Sequence, residues 1–509
     1  MAGTDLGARK ELAQSLHSST VDLREVGHQG DVVRRTDVEA VNQRSKVVET
    51  DPTAEKHLAH LVNNPGVSFG AVHHHNNMPH ADKEPVELHQ QLAEADPTAK
   101  KDLADSLYNL AFDLRQLGRH EDALRADEEA VELRRQLMET DPTITEDLVQ
   151  SLHNQGFDLR QLGRHKEALR ADNEALNLLR VLVETDPTVT KDLACSLHNI
   201  GIELHWLGRH EDAQHATKEA VELRRQLAET GPTITEDLAH SLYNLALDLR
   251  QLGRHEDALR ADKEDVELQR QLMETDPTFT KDLAQSLHNL GFDLRQLGRH
   301  KEALRADKEA LNLRRVLVET DSTVTKDLAC SLHNIGIELH WLSRHEDAQH
   351  ATKEAVELRR QLAEMDPTIT EDLAHSLHNL ALNLRQLGRH KEALRADNEA
   401  LNLRRVLVGT DSTVTKDLAC SLHNIGVDLH WLGRHEDARH ATKEAVDLRR
   451  QLAETDPAIT EDLAHSLHNL ALDLRQLGRH EDALHANVEA LELRRKLADA
   501  DPTITKDLA

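Results

Sequence analysis

The chain has 509 residues, with 62 Lys and Arg against 91 Asp and Glu, a formal charge of −29 when histidine is neutral. Proteins that coat nucleic acid neutralise phosphate with clustered cations, so this balance argues against nucleic acid as a partner. Aromatic residues make up 2%, so any core must be built from Leu and Ala, and three cysteines cannot form a disulfide framework.

The N-terminus MAGTDLGARKELAQS has no apolar core of a signal peptide, and no stretch approaches 18 consecutive apolar residues. These features predict a cytoplasmic chain without membrane contact. Residues 1–101 read as degenerate helical units, in which Pro65, Pro79 and Pro85 fall where later units are helical. Gly66-Val67-Ser68-Phe69-Gly70 matches the GxSxG nucleophile pattern, but no strand precedes it to form the elbow that chemistry needs. The run His73-His74-His75 with His80 lies in the same segment and is a weak metal signal.

From Asp102 onward one block recurs every 45 residues, at Asp147, Asp192, Asp237, Asp282, Asp327, Asp372, Asp417 and Asp462. Nine units fill 102–506, and 507–509 begin a further one. In the first unit Leu103, Leu107, Leu110, Ala111, Leu114 and Leu117 form one apolar stripe at helical spacing, which Gly118 ends. A second helix carries Ala123, Ala126, Ala130, Leu133 and Leu137 and closes at Thr140-Asp141-Pro142. Thr143 with Glu146 reads as a capping box for the next unit. One such hairpin buries too little surface to stand alone, so the units must stack into an all-α solenoid.

At Leu152, Gln155, Gly156, Leu159, Gly163, His165, Ala168, Asp172 and Ala175 the unit resembles the tetratricopeptide repeat, and the wording SLHNLALDLRQLGRHEDAL is most similar to the kinesin-light-chain type. Asp127, Asp172 or Thr217 stands where that family has an aromatic. The resemblance implies a superhelix of antiparallel hairpins, no enzymatic activity, and a concave groove lined by the first helix of each hairpin, helix A, where extended peptides bind.

The side of helix A opposite the Leu stripe holds positions 105, 108, 109, 112, 115 and 116 and their equivalents. One position is always Asn: Asn109, Asn154, Asn199, Asn244, Asn289, Asn334, Asn379, Asn424 and Asn469. An amide suits a peptide backbone or a carboxylate. Beside it stand Tyr108, His153, His198, Tyr243, His288, His333, His378, His423 and His468. One turn on come Arg115, Arg160, Arg250, Arg295, Arg385 and Arg475, or His205, His340 and His430. Apolar residues such as Phe112, Phe157 and Phe292 occupy the centre, and Trp206, Trp341 and Trp431 mark three of the units.

With Asp113 and Asp158 placed away from this side, the pattern predicts a locally positive groove that takes acidic or C-terminal carboxylate peptides. Protonating all 35 His would move the formal charge from −29 to +6, so binding is expected to strengthen toward pH ~6. In the competing reading, the arginines pair with the next unit's Asp and the Asn residues serve the protein's own backbone. The expected partners are other proteins, met through peptide segments. The alternative is a sensor or oligomerisation module whose effector lies on another polypeptide, self-associating through an uncapped C-terminal repeat.

No cofactor, metal or catalytic residue is assigned. His210 and His215, His435 and His440, and His480 and His485 are five apart, which turns their rings about 140° from each other on a helix. Cys195 with His198, and His375 with His378, share a face but supply only two ligands.

Overall fold

The computed structural model describes residues 100–228, 234–407 and 412–500. The degenerate N-terminal units, the GxSxG match, the His73–His75 run and the stub at 507–509 lie outside the described residues. Helices alternate along the chain: α1 (Lys100–Gln116), α2 (His120–Met138), α3 (Thr145–Gln161), α4 (His165–Leu182), α5 (Thr190–Trp206), α6 (His210–Ala228), α7 (Thr235–Gln251), α8 (His255–Thr275) and α9 (Thr280–Gln296). They continue as α10 (His300–Leu317), α11 (Thr325–Trp341), α12 (His345–Met365), α13 (Thr370–Gln386), α14 (His390–Leu407), α15 (Ser412–Trp431), α16 (His435–Ala453), α17 (Ile459–Gln476) and α18 (His480–Ala500). No strand occurs among the described residues. The fold is an all-α solenoid of helical hairpins with a repeat of about 45 residues. The chain divides between Gly253 and Arg254 into two compact units.

Local chemistry explains where each helix stops. Gly118 adopts φ +69°, which costs glycine little. The Gly118 and Arg119 amides then donate to the carbonyls of Arg115 and Leu114, each at 2.9 Å, and so close α1. Ser343 takes the same left-handed turn at φ +56°. At the entry to α3 the sequence-based capping box is replaced by a different cap. The Asp141 carboxylate accepts from the Thr143 amide at 3.0 Å and its hydroxyl at 2.7 Å, one 3-10 turn earlier, with Pro142 fixing the first position.

The Leu stripe of α1 packs on the small residues of α2: Leu103, Leu107, Leu110, Ala111 and Leu114 meet Ala123, Ala126 and Ala130. The small Ala residues let the two helices approach closely. The next core runs through successive hairpins, joining Val131 of α2 to Leu148 and Leu152 of α3, Leu179 of α4 and Leu197 of α5. A buried arginine ties hairpins together. Arg134 donates to the Asp147 carbonyl at 2.8 Å and to Ser151 Oγ at 2.5 Å, and Arg224, Arg314, Arg359, Arg404 and Arg449 repeat the contact. Backbone carbonyls and serine hydroxyls are thus paired rather than stranded in the core.

One position breaks the pattern. Asp265 is fully buried on α8 where Ala130, Ala175, Ala220, Ala310, Ala355, Ala400 and Ala445 occupy the equivalent slot. Burying a carboxylate costs more than burying a methyl group. Asp265→Ala is therefore expected to raise unfolding free energy by about 1–2 kcal/mol. Urea midpoints of the two proteins check this, and an unchanged or lower midpoint would show that the carboxylate is accommodated.

Candidate functional site

The arginines expected to face the groove are consumed by carboxylates. Arg115 Nη1 reaches Asp127 of its own hairpin at 2.5 Å and Asp158 of the next helix A at 2.9 Å. Arg160 bridges Asp172 at 3.3 Å and Glu203 at 2.5 Å, and Arg385 bridges Asp397 at 2.5 Å and Asp428 at 3.0 Å. Arg295 joins Asp307 and Glu338 in the same way. The acids at these sites are sealed from solvent. This corrects the placing of Asp158 away from the groove side: it receives both Arg115 and His120, the latter at 3.0 Å. The locally positive groove is corrected with it at Arg115, Arg160, Arg295 and Arg385, because these cations are neutralised where they stand. Arg475, on the last described hairpin, is exposed.

One guanidinium serving two buried carboxylates leaves one of them short of charge. Burial, with Glu203 adding to it and Arg160 opposing it, pushes the Asp172 carboxyl up to about 7. Asp307 is likewise raised to about 7 by burial, against Arg295. Gly156 makes room for this cluster, since a Cβ there would sit 2.9 Å from the Asp172 carboxylate.

The His and Asn rows form a lattice between successive A helices. His153, His198, His333 and His423 each bond a serine on the following helix A at 2.5–3.0 Å: Ser196, Ser241, Ser376 and Ser466. Asn379 and Asn469 donate to the Nε2 atoms of His333 and His423 at 3.3 Å, and Asn334 and Asn424 contact His288 and His378 at 3.4 and 3.5 Å. Nδ1–H donating while Nε2 accepts is what a neutral imidazole supplies. Burial first, then arginines such as Arg359 and Arg449, hold His333 and His423 down at about 3, and lower His153 and His198 as well. The expected gain of groove charge near pH 6 is thereby corrected for His333 and His423, which stay neutral there.

Among the groove-side residues open to solvent are apolar ones. Phe112 is 52% exposed, and Phe157 and Phe292 are also exposed, while Ile202, Leu247, Ile337, Leu382, Val427 and Leu472 at the same position are half-buried. Trp206, Trp341 and Trp431 are about two-thirds exposed. Each indole lies flat on a histidine of the preceding hairpin, Trp206 on His165 at 5.6 Å, Trp341 on His300 at 5.4 Å and Trp431 on His390 at 5.6 Å. One ring face is covered and the other left bare. Tyr108 lies under the Arg134 guanidinium at 5.1 Å, while Asn109, Asn154, Asn199, Tyr243, Asn244, Arg250 and His288 are half-buried and Asn289 and Asn334 are buried. His378 lies 3.8 Å from Asp397, and burial lowers the His468 imidazole.

Sequence reasoning paired histidines along one helix and so missed the pairing across the hairpin turn. His205, His340 and His430 end helix A, and His210, His345 and His435 begin helix B, with ring centroids 5.0–5.2 Å apart. The five-residue spacing in HWLGRH spans a turn, not a helix, and that turn glycine was the available signal. Cys195, Cys330 and Cys420 are half-buried, with thiols pushed up by burial.

This architecture of stacked helical hairpins defines the class of helical-repeat interaction proteins. Two tetratricopeptide-repeat sequence profiles match, one over residues 102–181, 282–361 and 417–496 and the other over 238–277 and 373–413. The chain belongs to the tetratricopeptide-repeat family. Similar solved structures include BtubC (BKLC) from P. vanneervenii, at 21% identity over 48% of this chain and 92% of that one, TM-score 0.39. A kinesin-light-chain-type protein of Podosopora anserina with nearly identical TPR-like repeats matches at 16% over 43% and 97%, TM-score 0.34. A signal transduction ATPase with a tetratricopeptide repeat sensor from Pyrococcus horikoshii matches at 12% over 77% and 56%, TM-score 0.46. No curated protein matches the chain. No helix among the described residues is long and apolar enough to cross a membrane.

Proposed function

We propose that this protein-interaction scaffold binds extended peptide segments along the open side of its A helices, taking apolar side chains on the exposed rings. The observation that carries this reading is the solvent exposure of Phe112, Phe157, Phe292 and the three tryptophans on one helix side. Large exposed rings cost solubility and are the residue types that anchor interfaces. Ion pairing at Arg115, Arg160, Arg295 and Arg385 shifts recognition from charge to apolar contact. A peptide carboxylate then falls to residues outside those pairs.

Peptide display against the full chain tests this, with exposed Phe112 and Phe157 as the variants of choice. Asn199 is unsuitable because it also bonds buried Asp172. Segments selected by the parent should carry aromatic or aliphatic residues. The Phe112→Ala/Phe157→Ala double variant should bind them about ten-fold or more weakly, with its melting temperature nearly unchanged because both rings are exposed. Selection of no segment, or equal binding by the double variant, would remove the groove as the site.

A further inference from the structure

We propose that His205, His210 and Asp248, and separately His430, His435 and Asp473, are two binding sites for a divalent transition ion of the zinc type. In each trio the three donor atoms lie within 4.8 Å of one another. Asp248 Oδ1 is 2.7 Å from His205 Nδ1 and 3.3 Å from His210 Nδ1, and Asp473 Oδ1 is 2.7 Å from His430 Nδ1 and 3.5 Å from His435 Nδ1. Zinc bonds of 2.0–2.1 Å in a tetrahedron set donors about 3.3 Å apart, so these trios need only small adjustments.

The trio is built by the fold. His205 ends α5, His210 opens α6 across the left-handed turn at Gly208, and Asp248 comes from α7 of the next hairpin. Two imidazoles and one carboxylate suit zinc and its neighbours and leave a position for water or a further ligand. The imidazoles are about a quarter exposed while the carboxylate is sealed beneath them, so an ion enters from solvent.

Electrostatics points the same way. Where helix A ends in arginine, the buried acid faces a permanent cation: Arg160 and His165 both meet Glu203, and Arg295 and His300 both meet Glu338. At Asp248 and Asp473 that arginine is replaced by a second imidazole. One carboxylate oxygen then serves two rings, and it reaches the Nδ1 of the second only at 3.3 Å in one trio and 3.5 Å in the other. A dication supplies the missing charge and engages that nitrogen.

The third His pair is an internal control. His340 Nδ1 meets Asn383 Oδ1 at 2.7 Å in the same arrangement, but a neutral amide replaces the carboxylate, and His345 Nδ1 is buried without a partner. Among the described residues two such trios should therefore bind an ion tightly, not three.

Zinc titration of the untagged, chelator-stripped full chain against a chromophoric zinc indicator tests this. Two sites are expected in the parent and one each in Asp248→Asn and Asp473→Asn. Those variants carry the amide that residue 383 already tolerates, so loss of fold is not the expected cause. Asn383→Asp should raise the number to three, a gain that unfolding cannot mimic. Cobalt(II) loading should give visible bands that fall by half in each Asp→Asn variant. No uptake by the parent, or a stoichiometry unaltered by Asp248→Asn and Asp473→Asn, would overturn the proposal and leave the trios as hydrogen-bonded supports between hairpins.

Discussion

Replacing Arg160 with His should lower the unfolding free energy by about 3–5 kcal/mol, and adding Asp172→Thr should restore all but ~1 kcal/mol of it. The argument begins from the charge held in the core. Arg160 lies between Asp172 and Glu203, both carboxylates fully buried. A shorter imidazole at residue 160 takes the guanidinium from both Asp172 and Glu203, and buried acids stripped of their hydrogen-bonding cation are among the costliest defects a core can carry. The double variant recreates an arrangement the protein already uses. His205, His340 and His430 coexist with Thr217, Thr352 and Thr442, whereas Arg115, Arg160, Arg250, Arg295 and Arg385 coexist with Asp127, Asp172, Asp262, Asp307 and Asp397. Thr217 Oγ1 donates to the Ala213 carbonyl and Thr352 Oγ1 to the Ala348 carbonyl, each at 2.8 Å. In these eight units cation and acid are gained or lost together, whereas Arg475 of the last unit stands with Asn487. Urea unfolding by far-UV circular dichroism, compared across a four-member cycle, measures the coupling. A single variant within 1 kcal/mol of the parent, or a double variant no better than the single, would show that this pairing does not hold the hairpin.

That covariation explains how much could be read in advance. The period, the Leu and Ala stripes and the turn at Gly118 are local properties of one helix or one turn, and they were legible because 3.6-residue spacing and a left-handed glycine depend on neighbours in sequence. The arginine environment was legible only as the competing reading, pairing with the next unit's Asp, which one unit alone could not decide. Arg115 meets acids 12 and 43 residues away, the second on a different repeat, and a wheel drawn for one helix cannot show what the next presents to it. The Arg–Asp and His–Thr alternation across repeats was the signal that could have found it. The exposed tryptophans were legible as anchors, but not their stacking on His165, His300 and His390, which again reaches between hairpins.

The second large effect concerns pH and runs opposite to ordinary surface carboxylates. Relative to the parent, Asp172→Asn and Asp307→Asn should each gain about 2–3 kcal/mol of stability between pH 5 and pH 9. Asp172 and Asp307 have carboxyls raised from 3.8 to about 7, burial being the largest cause. Between pH 3.8 and about 7 the folded state keeps a proton that the unfolded chain has released. The stabilisation is therefore complete below pH 3.8 and is lost as pH rises through 7. Asparagine cannot ionise, so it escapes that loss while keeping an oxygen to accept from the arginine. Had the ion pair dominated, the folded carboxyl would lie below 3.8 and the variants would instead lose ground on passing from acid to neutral pH. The deciding fact is stoichiometric: one guanidinium faces two sealed acids, and the Asp172 and Asp307 carboxyls are the ones that burial holds up at about 7. The two sites lie in different compact units and should behave alike. Urea midpoints for the parent and both variants at each pH give the comparison. Curves that stay parallel from pH 5 to pH 9 would mean that both acids are ionised throughout and that the arginine balances them unaided.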